Sequence, residues 1–339
     1  MRPPTLRDVA EVAGVHAATA SRALNPETRW MVKADTVHKV LSAAESLSYQ
    51  VNPIARSLKT AKSRTVGLVI PDLTNPLFPP IVRGIEDVLG PAGYNAWIVN
   101  TDNDEERERT QIESLRSRHV EGLIVATARL EHPLLKQLHK QGMNLVLINR
   151  EVGGLAIPSV TAADSTGISM AVEHLIGLGH RRIAHIGGPL NTSTGVVRST
   201  AFRKAMSGHG LTSHRSLIVQ CEYWSEAEGA RAMRTLFDRG ASFTAVVAGN
   251  DLIALGCYDV LAERGMSCPE DVSIVGFNDM PFLDKLRPPL TTIGLPHYEV
   301  GAEAARMMLS RIENPDKKLQ PVRLPLTLVT RGSTAPPSS

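Results

Sequence analysis

Cysteine is scarce in this chain of 339 residues: only Cys221, Cys257 and Cys268 occur, far apart and odd in number. A disulfide framework is therefore excluded, and the lack of any CxxC or CxxH spacing argues against a zinc site. No run approaches the ~18–20 apolar residues that a membrane span needs. A signal peptide is not expected either, because Arg7, Asp8 and Glu11 interrupt any apolar stretch behind Arg2. The motifs G-x-G-x-x-G, G-x-x-x-x-G-K-[ST], G-x-S-x-G and H-E-x-x-H are all missing. His174, His180 and His185 lack metal-ligand spacing. These absences lead to the expectation of a cytoplasmic protein that is not an enzyme and holds no metal or cofactor.

What is present is an uneven charge. The formal net charge is +3, yet residues 1–65 carry ten Lys/Arg against five acids, a net +5, which leaves −2 on the other 274 residues. A basic head on a near-neutral body points to a polyanionic partner. Within the head, Thr5 and Asp8 have capping-box spacing, and Leu6, Val9, Ala10 and Ala13 form one apolar stripe. Gly14 ends that helix, a second spans about Ala17–Leu24, and a third carries Val37, Val40, Leu41, Ala44 and Leu47. Three short helices with a tight Gly-containing turn read as a helix-turn-helix.

The second helix is then the recognition helix. Ala17, Ala18, Ser21 and Arg22 share one face, while Ala20, Ala23 and Leu24 share the other. Arg22 can fork onto guanine O6 and N7, worth about 1–3 kcal/mol of discrimination. The alanines offer methyl contacts, and His16 can donate to a base or phosphate. The alternative is a packed helical hairpin with a solvated arginine. Further on, Asn52-Pro53 suits a helix start, but Ile54–Leu58 makes barely two turns, too short to persist alone. Leu58 among Arg56, Lys59, Lys62 and Arg64 suits a wedge into the minor groove; an ordinary linker with an incidental leucine is the other reading.

Beyond Arg64, strand-like runs (Thr65–Ile70, Asn95–Val99, Gly122–Ala126, Asn144–Ile148, Arg182–Ile186, Thr244–Ala248, Val272–Val275) alternate with helical ones. Such alternation predicts parallel sheets covered by helices. Some 270 residues of it predicts two lobes with a cleft, divided at Asp164-Ser165. The Ser/Pro-rich tail after Thr330 is expected to fray.

The head motifs Thr5-Leu-Arg-Asp-Val-Ala10, Gly14-Val15, Thr19-Ala-Ser-Arg-Ala-Leu-Asn25 and Asn52-Pro-Ile-Ala-Arg-Ser-Leu58 resemble the lac-repressor (LacI/GalR) family. So do Val66-Gly-Leu-Val-Ile-Pro-Asp72, Asn75-Pro-Leu-Phe78, Gly177-Leu-Gly-His-Arg-Arg-Ile183, Gly187-Gly-Pro189, Asn250-Asp-Leu-Ile-Ala-Leu-Gly256, Val275-Gly-Phe-Asn-Asp279 and Pro289-Leu-Thr-Thr-Ile293, in family order. The resemblance implies a transcriptional regulator, a repressor, acting as a homodimer or a dimer of dimers on a near-palindromic operator in double-stranded DNA. The DNA-contacting set it implies is His16, Ala17, Ala18, Thr19, Ser21, Arg22, Asn25, Asn52, Ala55 and Leu58, with Leu58 at a central CpG step. It also implies a body like periplasmic sugar-binding proteins, with a sugar-like effector held by Phe78, Asn149, Thr194, Arg198, Trp224, Asn250 and Asn278. Phe78 and Trp224 as plain core aromatics are the bland alternative.

The chain then divides into a head (1–50), a hinge and linker (51–64), a first lobe (65–163 with about 294–325) and a second (164–293 with about 326–334). Several residues depart from the family pattern. His16 and Lys33 stand where helix caps are usual, at a cost of roughly 1 kcal/mol each if nothing substitutes. Ala20 replaces the commoner Val, which thins the core beneath the helix. Asn149 and Asn278 stand where Asp is common, which with Arg198 retained favours a neutral or anionic effector. A periplasmic-type solute-binding protein is the rival reading; the basic head and the missing signal peptide count against it.

Overall fold

A computed structural model of the chain describes residue 2 and residues 4–26, 28–50 and 63–338. The expected hinge, with Asn52, Ala55 and Leu58, lies outside the described residues. Two compact units emerge, residues 1–63 and 64–339. Arg64, expected in the linker, is already part of the second: its amide donates to Glu121 Oε1 at 2.6 Å, and its carbonyl accepts from the Asn95 amide.

The head contains α1 (Leu6–Val12), α2 (Ala17–Leu24) and α3 (Ala34–Ser46). Thr5 and Asp8 close the capping box that opens α1. Gly14 takes a φ of 64°, the left-handed conformation that turns the chain tightly into α2. Val9, Ala20, Ala23 and Val40 are fully buried between the helices. Leu41, assigned to the apolar stripe of α3, is instead 38% exposed, because Ala43 takes the inward position.

The second unit holds two six-stranded sheets. The first comprises β1 (Thr65–Ile70), β2 (Asn95–Asn100), β3 (Gly122–Val125), β4 (Leu145–Ile148), β5 (Ser159–Ala162) and β11 (Val322–Leu324), in the order β11-β5-β4-β3-β1-β2. All its pairings are parallel. The second comprises β6 (Ile183–Gly187), β7 (Ile218–Gln220), β8 (Ala245–Ala248), β9 (Ser273–Asn278), β10 (Thr291–Gly294) and β12 (Thr327–Val329), in the order β12-β10-β9-β8-β6-β7. It is parallel except at β10–β12, the antiparallel edge.

The connecting helices are α4 (Phe78–Leu89), α5 (Glu105–Ser117), α6 (Pro133–Lys140), α7 (Asp164–Gly177), α8 (Ser193–Gly208), α9 (Glu226–Asp238), α10 (Asp251–Glu263) and α11 (His297–Glu313). The chain passes between the lobes at Ala163, after Gly294, and between β11 and β12. Helix α11 thereby returns to the first lobe and packs on α4. Their contact is close enough that a Cβ on Gly84 would lie 2.1 Å from the Tyr298 carbonyl oxygen, and one on Gly301 1.9 Å from that of Ile81.

The tail does not fray. Ser333 is fully buried, and its hydroxyl donates to the Ile274 carbonyl at 2.6 Å while accepting from the Thr291 amide at 2.8 Å. The Ile274 amide donates to the Ser333 carbonyl, and His180 Nε2 lies 2.8 Å from the Ala335 carbonyl. The tail is thus a strap along β9 and β10, and Ser/Pro composition misled because it says nothing of backbone partners waiting on the sheet.

Asp251, at the start of α10, is fully buried and accepts from Thr292 Oγ1 at 2.6 Å and the Met280 amide at 3.0 Å. Burial outweighs those bonds and pushes its carboxyl up from 3.8 to about 6. A raised acid holds its proton more tightly folded than unfolded. Its contribution to stability is complete below pH 3.8 and lost as pH rises to about 6. His185 acts oppositely: burial holds its imidazole down to about 4, so stability is lost as pH falls from 6.5. Asp251→Asn should therefore gain on the native chain by about 2 kcal/mol between pH 4 and pH 7. Urea titrations at both pH values measure this, and a pH-independent difference would mean an unperturbed carboxyl.

Candidate functional sites: the face of the head and the cleft of the body

On the head, α2 presents a ridge of exposed His16, Ala18 and Arg22, flanked by half-buried Thr19, Ser21 and Asn25. Ala17 is partly turned inward and packs against the head core, so it contributes less to this face than expected. The anticipated loss of a cap at His16 does not occur. His16 Nδ1 accepts from the Ala18 amide at 3.2 Å, which caps the helix and leaves Nε2 to face outward chemistry as a donor. Lys33 does leave α3 without a side-chain cap. Arg29 Nε donates to the Ala23 carbonyl at 2.9 Å and Thr28 Oγ1 to that of Arg22, closing the far end of α2.

In the body, the cleft lies at the C-terminal ends of the strands of both sheets, where open α/β folds place their ligand sites. The residues following β1, β4, β6, β7, β8 and β9 reach it, and α4, α7, α8, α9 and α10 begin beside it. Their free N–H groups and dipoles favour oxygen-rich ligands. Phe78, Asn149, Thr194, Arg198, Trp224, Asn250 and Asn278 all line one cavity of about 790 Å3 that opens to solvent.

Each is placed by local structure. Phe78 opens α4 behind a loop held by two side-chain turns, Asp72 Oδ1 accepting from the Thr74 amide and Asn75 Oδ1 from that of Leu77. Asn149 and Asn278 take φ values of 62° and 122° at strand ends, a conformation Asn tolerates better than most residues. Asn250 caps α10, its Oδ1 accepting from the Ile253 amide at 2.9 Å, so only its NH2 remains for a ligand. The Trp224 indole lies over Gly188, where a Cβ would come within 2.1 Å of the ring. Its buried Nε1 has no acceptor among the described residues, the kind of donor a ligand oxygen satisfies.

Arg198 is the most constrained of the set. Its Nε and Nη2 both lie 2.7 Å from Asp164 Oδ1, Nη1 donates to the Gly249 carbonyl at 2.7 Å, and the guanidinium sits 3.7 Å above Phe277. Three of its five N–H donors are therefore committed. Burial raises the Asp164 carboxyl even against this partner. Asp164 was expected only as a lobe boundary; its carboxylate pairs with Arg198, so that arginine adds no unmatched charge to the cleft.

Sequence reasoning also passed over Asp72, Asn103, Arg150 and Tyr223, which line the same cavity. Arg150 directly follows Asn149 at the end of β4, and that adjacency was the available signal. Beyond it a second compartment of about 450 Å3 is lined by Thr127, Arg129, Thr192 and Glu222. Arg129 is held there by Glu108, whose carboxylate also accepts from Thr127 and meets His132 Nε2 at 3.2 Å. Although burial opposes it, bonding to His132, Thr127 and Arg129 keeps the Glu108 carboxyl below its ordinary range. Among the described residues no group of His, Cys, Asp and Glu is disposed to hold a metal, and no helix is long and apolar enough to cross a membrane.

Residues 5–52 match the model of bacterial regulatory proteins of the lacI family, and residues 172–334 match that of the periplasmic binding protein-like domain. The ribose operon repressor of Halalkalibacterium halodurans is 32% identical over 97% of both chains. The transcriptional regulator GalR of Escherichia coli is 35% identical over 98% of this chain and 96% of its own. Among solved structures, the lac repressor dimer bound to operator and an anti-inducer superposes with a TM-score of 0.87 at 27% identity, covering 98% of this chain and 100% of the other. Likeness of this extent, in head and body alike, makes the chain a member of the LacI family of bacterial regulatory proteins.

Proposed function

We propose that this chain is a cytoplasmic transcriptional repressor whose affinity for operator DNA is set by a small sugar-like molecule bound between its lobes. One observation carries the reading: a single chain joins a recognition helix with Arg22 exposed to a cleft that both lobes line. The head supplies phosphate contacts, so affinity falls steeply with salt. Arg22 and the ridge around it read bases, and the hinge at Asn52, Ala55 and Leu58 reads deformability at a central CpG step. A periplasmic-type solute-binding protein has no use for the head.

A homodimer fits both operator symmetry and the surface of the first lobe. β2 is a sheet edge, and Leu73, Trp97 and Ile98 near it are 57%, 40% and 39% exposed. An apolar open edge calls for a cover, and a second copy of the chain provides one. The effector acts through its differential affinity for two lobe arrangements, which set whether paired hinges can fold on DNA.

Selection from random duplex DNA with the full-length chain, with and without sugars, tests the reading; enrichment of a palindrome is the expected result, and no enrichment under either condition refutes it. Leu58→Ala should weaken binding to the selected site by about ten- to a hundredfold while changing random-sequence binding little, since unstacking and bending are worth a few kcal/mol only where the step is deformable. Equal losses on both DNAs would remove the wedge.

A further inference from the structure

We propose that Arg150 is an anion receptor, and that the ligand of this cleft is a sugar bearing a carboxylate or a phosphate. The inference rests on reading the cleft as the effector site. It starts from the pairing of the cleft cations. Arg198 is matched by Asp164, and Arg129 by Glu108 and Glu105. Arg150 makes no ion pair or side-chain hydrogen bond with any described residue, yet it borders both the main cavity and the second compartment.

The acids nearby do not pair with it: Glu108 holds Arg129, and Glu222, which borders the second compartment, makes no ion pair with it. Asp164 is taken, and Asp72 accepts from the amide and hydroxyl of Thr74. The neighbour in sequence, Asn149, is neutral. Partial burial pushes the Arg150 guanidinium down to about 10, and Arg198 and Arg129 add repulsion. A positive group in that position gains most from an anion, and its planar fork matches carboxylate or phosphate oxygens two at a time. The N-termini of α4, α7, α8, α9 and α10 add field of the same sign.

The two compartments give the ligand its outline. A ring resting against Phe78 and Trp224 fills the main cavity, and an acidic arm passes Arg150 toward Arg129 and Thr192. A neutral sugar can meet the same donors with hydroxyls, but it leaves the charge uncompensated.

Calorimetric titration of the full-length chain tests this with matched sets: glucose, gluconate and glucose phosphate; galactose, galactonate and galactose phosphate; ribose, ribonate and ribose phosphate. Inorganic phosphate serves as the bare anion. In at least one set an acid should bind about tenfold or more tighter than its neutral parent, the size of one charge-assisted contact. Carboxylate and phosphate arms show which anion the site takes. Arg150→Gln should bring the ratio of acid to parent close to one, and Arg150→Lys should keep part of it; urea midpoints of both variants establish that they are folded. Neutral parents binding as tightly as their acids, a preference that survives Arg150→Gln, or no binding by any acid would each overturn the proposal. Those outcomes are independent of operator selection, so the regulator reading stands or falls separately.

Discussion

Replacing Arg198 by methionine is expected to abolish the response of the protein to its effector and to cost its fold about 3–5 kcal/mol, the usual penalty for stripping one partner from a buried ion pair. Both effects follow from one geometry. The guanidinium binds Asp164 and the Gly249 carbonyl with three donors, and two more remain on a side chain that lines the cleft. Without it, Asp164 is left buried with only the more distant charge of Arg323, and its already raised carboxyl must take up a proton or water. The double variant Arg198→Met with Asp164→Leu separates the two roles, because an apolar pair of similar volume is often as stable as the ion pair it replaces. That variant should regain most of the urea midpoint and none of the ligand binding. Thermal shift with whichever sugar of the matched sets stabilises the native chain provides the second readout. Native-like affinity in Arg198→Met would remove this side chain from the ligand site.

A chain ending at Thr330 should lose about 3–6 kcal/mol, a large part of the 5–15 kcal/mol that holds a typical domain together. The strap supplies partners to the Ile274 and Thr291 amides and to His180, and each buried donor left unmet costs about 1–3 kcal/mol. Arg331 goes with it, and with it the 2.7 Å contact to Asp279. Ser333→Ala should show a fraction of the same loss, since it removes only the hydroxyl that bridges Ile274 and Thr291. Urea denaturation of all three chains measures the series. An unchanged midpoint in the truncated chain would mean that the strap lies on the lobe without stabilising it.

The head was legible almost residue by residue, because its signals are local. A capping box spans three residues, a stripe repeats within one helix, and Gly14 marks the turn by its own backbone preference. The errors there are small rotations: Ala17 turns inward and Leu41 outward, since helix periodicity gives a face but not the crossing angle that decides its edges. His16 shows the same limit, because no propensity table identifies an imidazole as the cap.

In the body, the sequence by itself determined the alternation of strand and helix, the two lobes, and the seven residues now found around one cavity. Tertiary structure alone decided what those residues can do. Arg198 was expected as an effector contact and is also neutralised by Asp164, 34 positions away in the chain. Arg150 was passed over in the sequence and has no ion-pair partner among the described residues. The tail looked disordered and is sewn onto β9 and β10. Each reversal has one physical cause: a charge or a hydrogen bond is valued by what stands opposite it, and pairing across the fold is not written in local sequence.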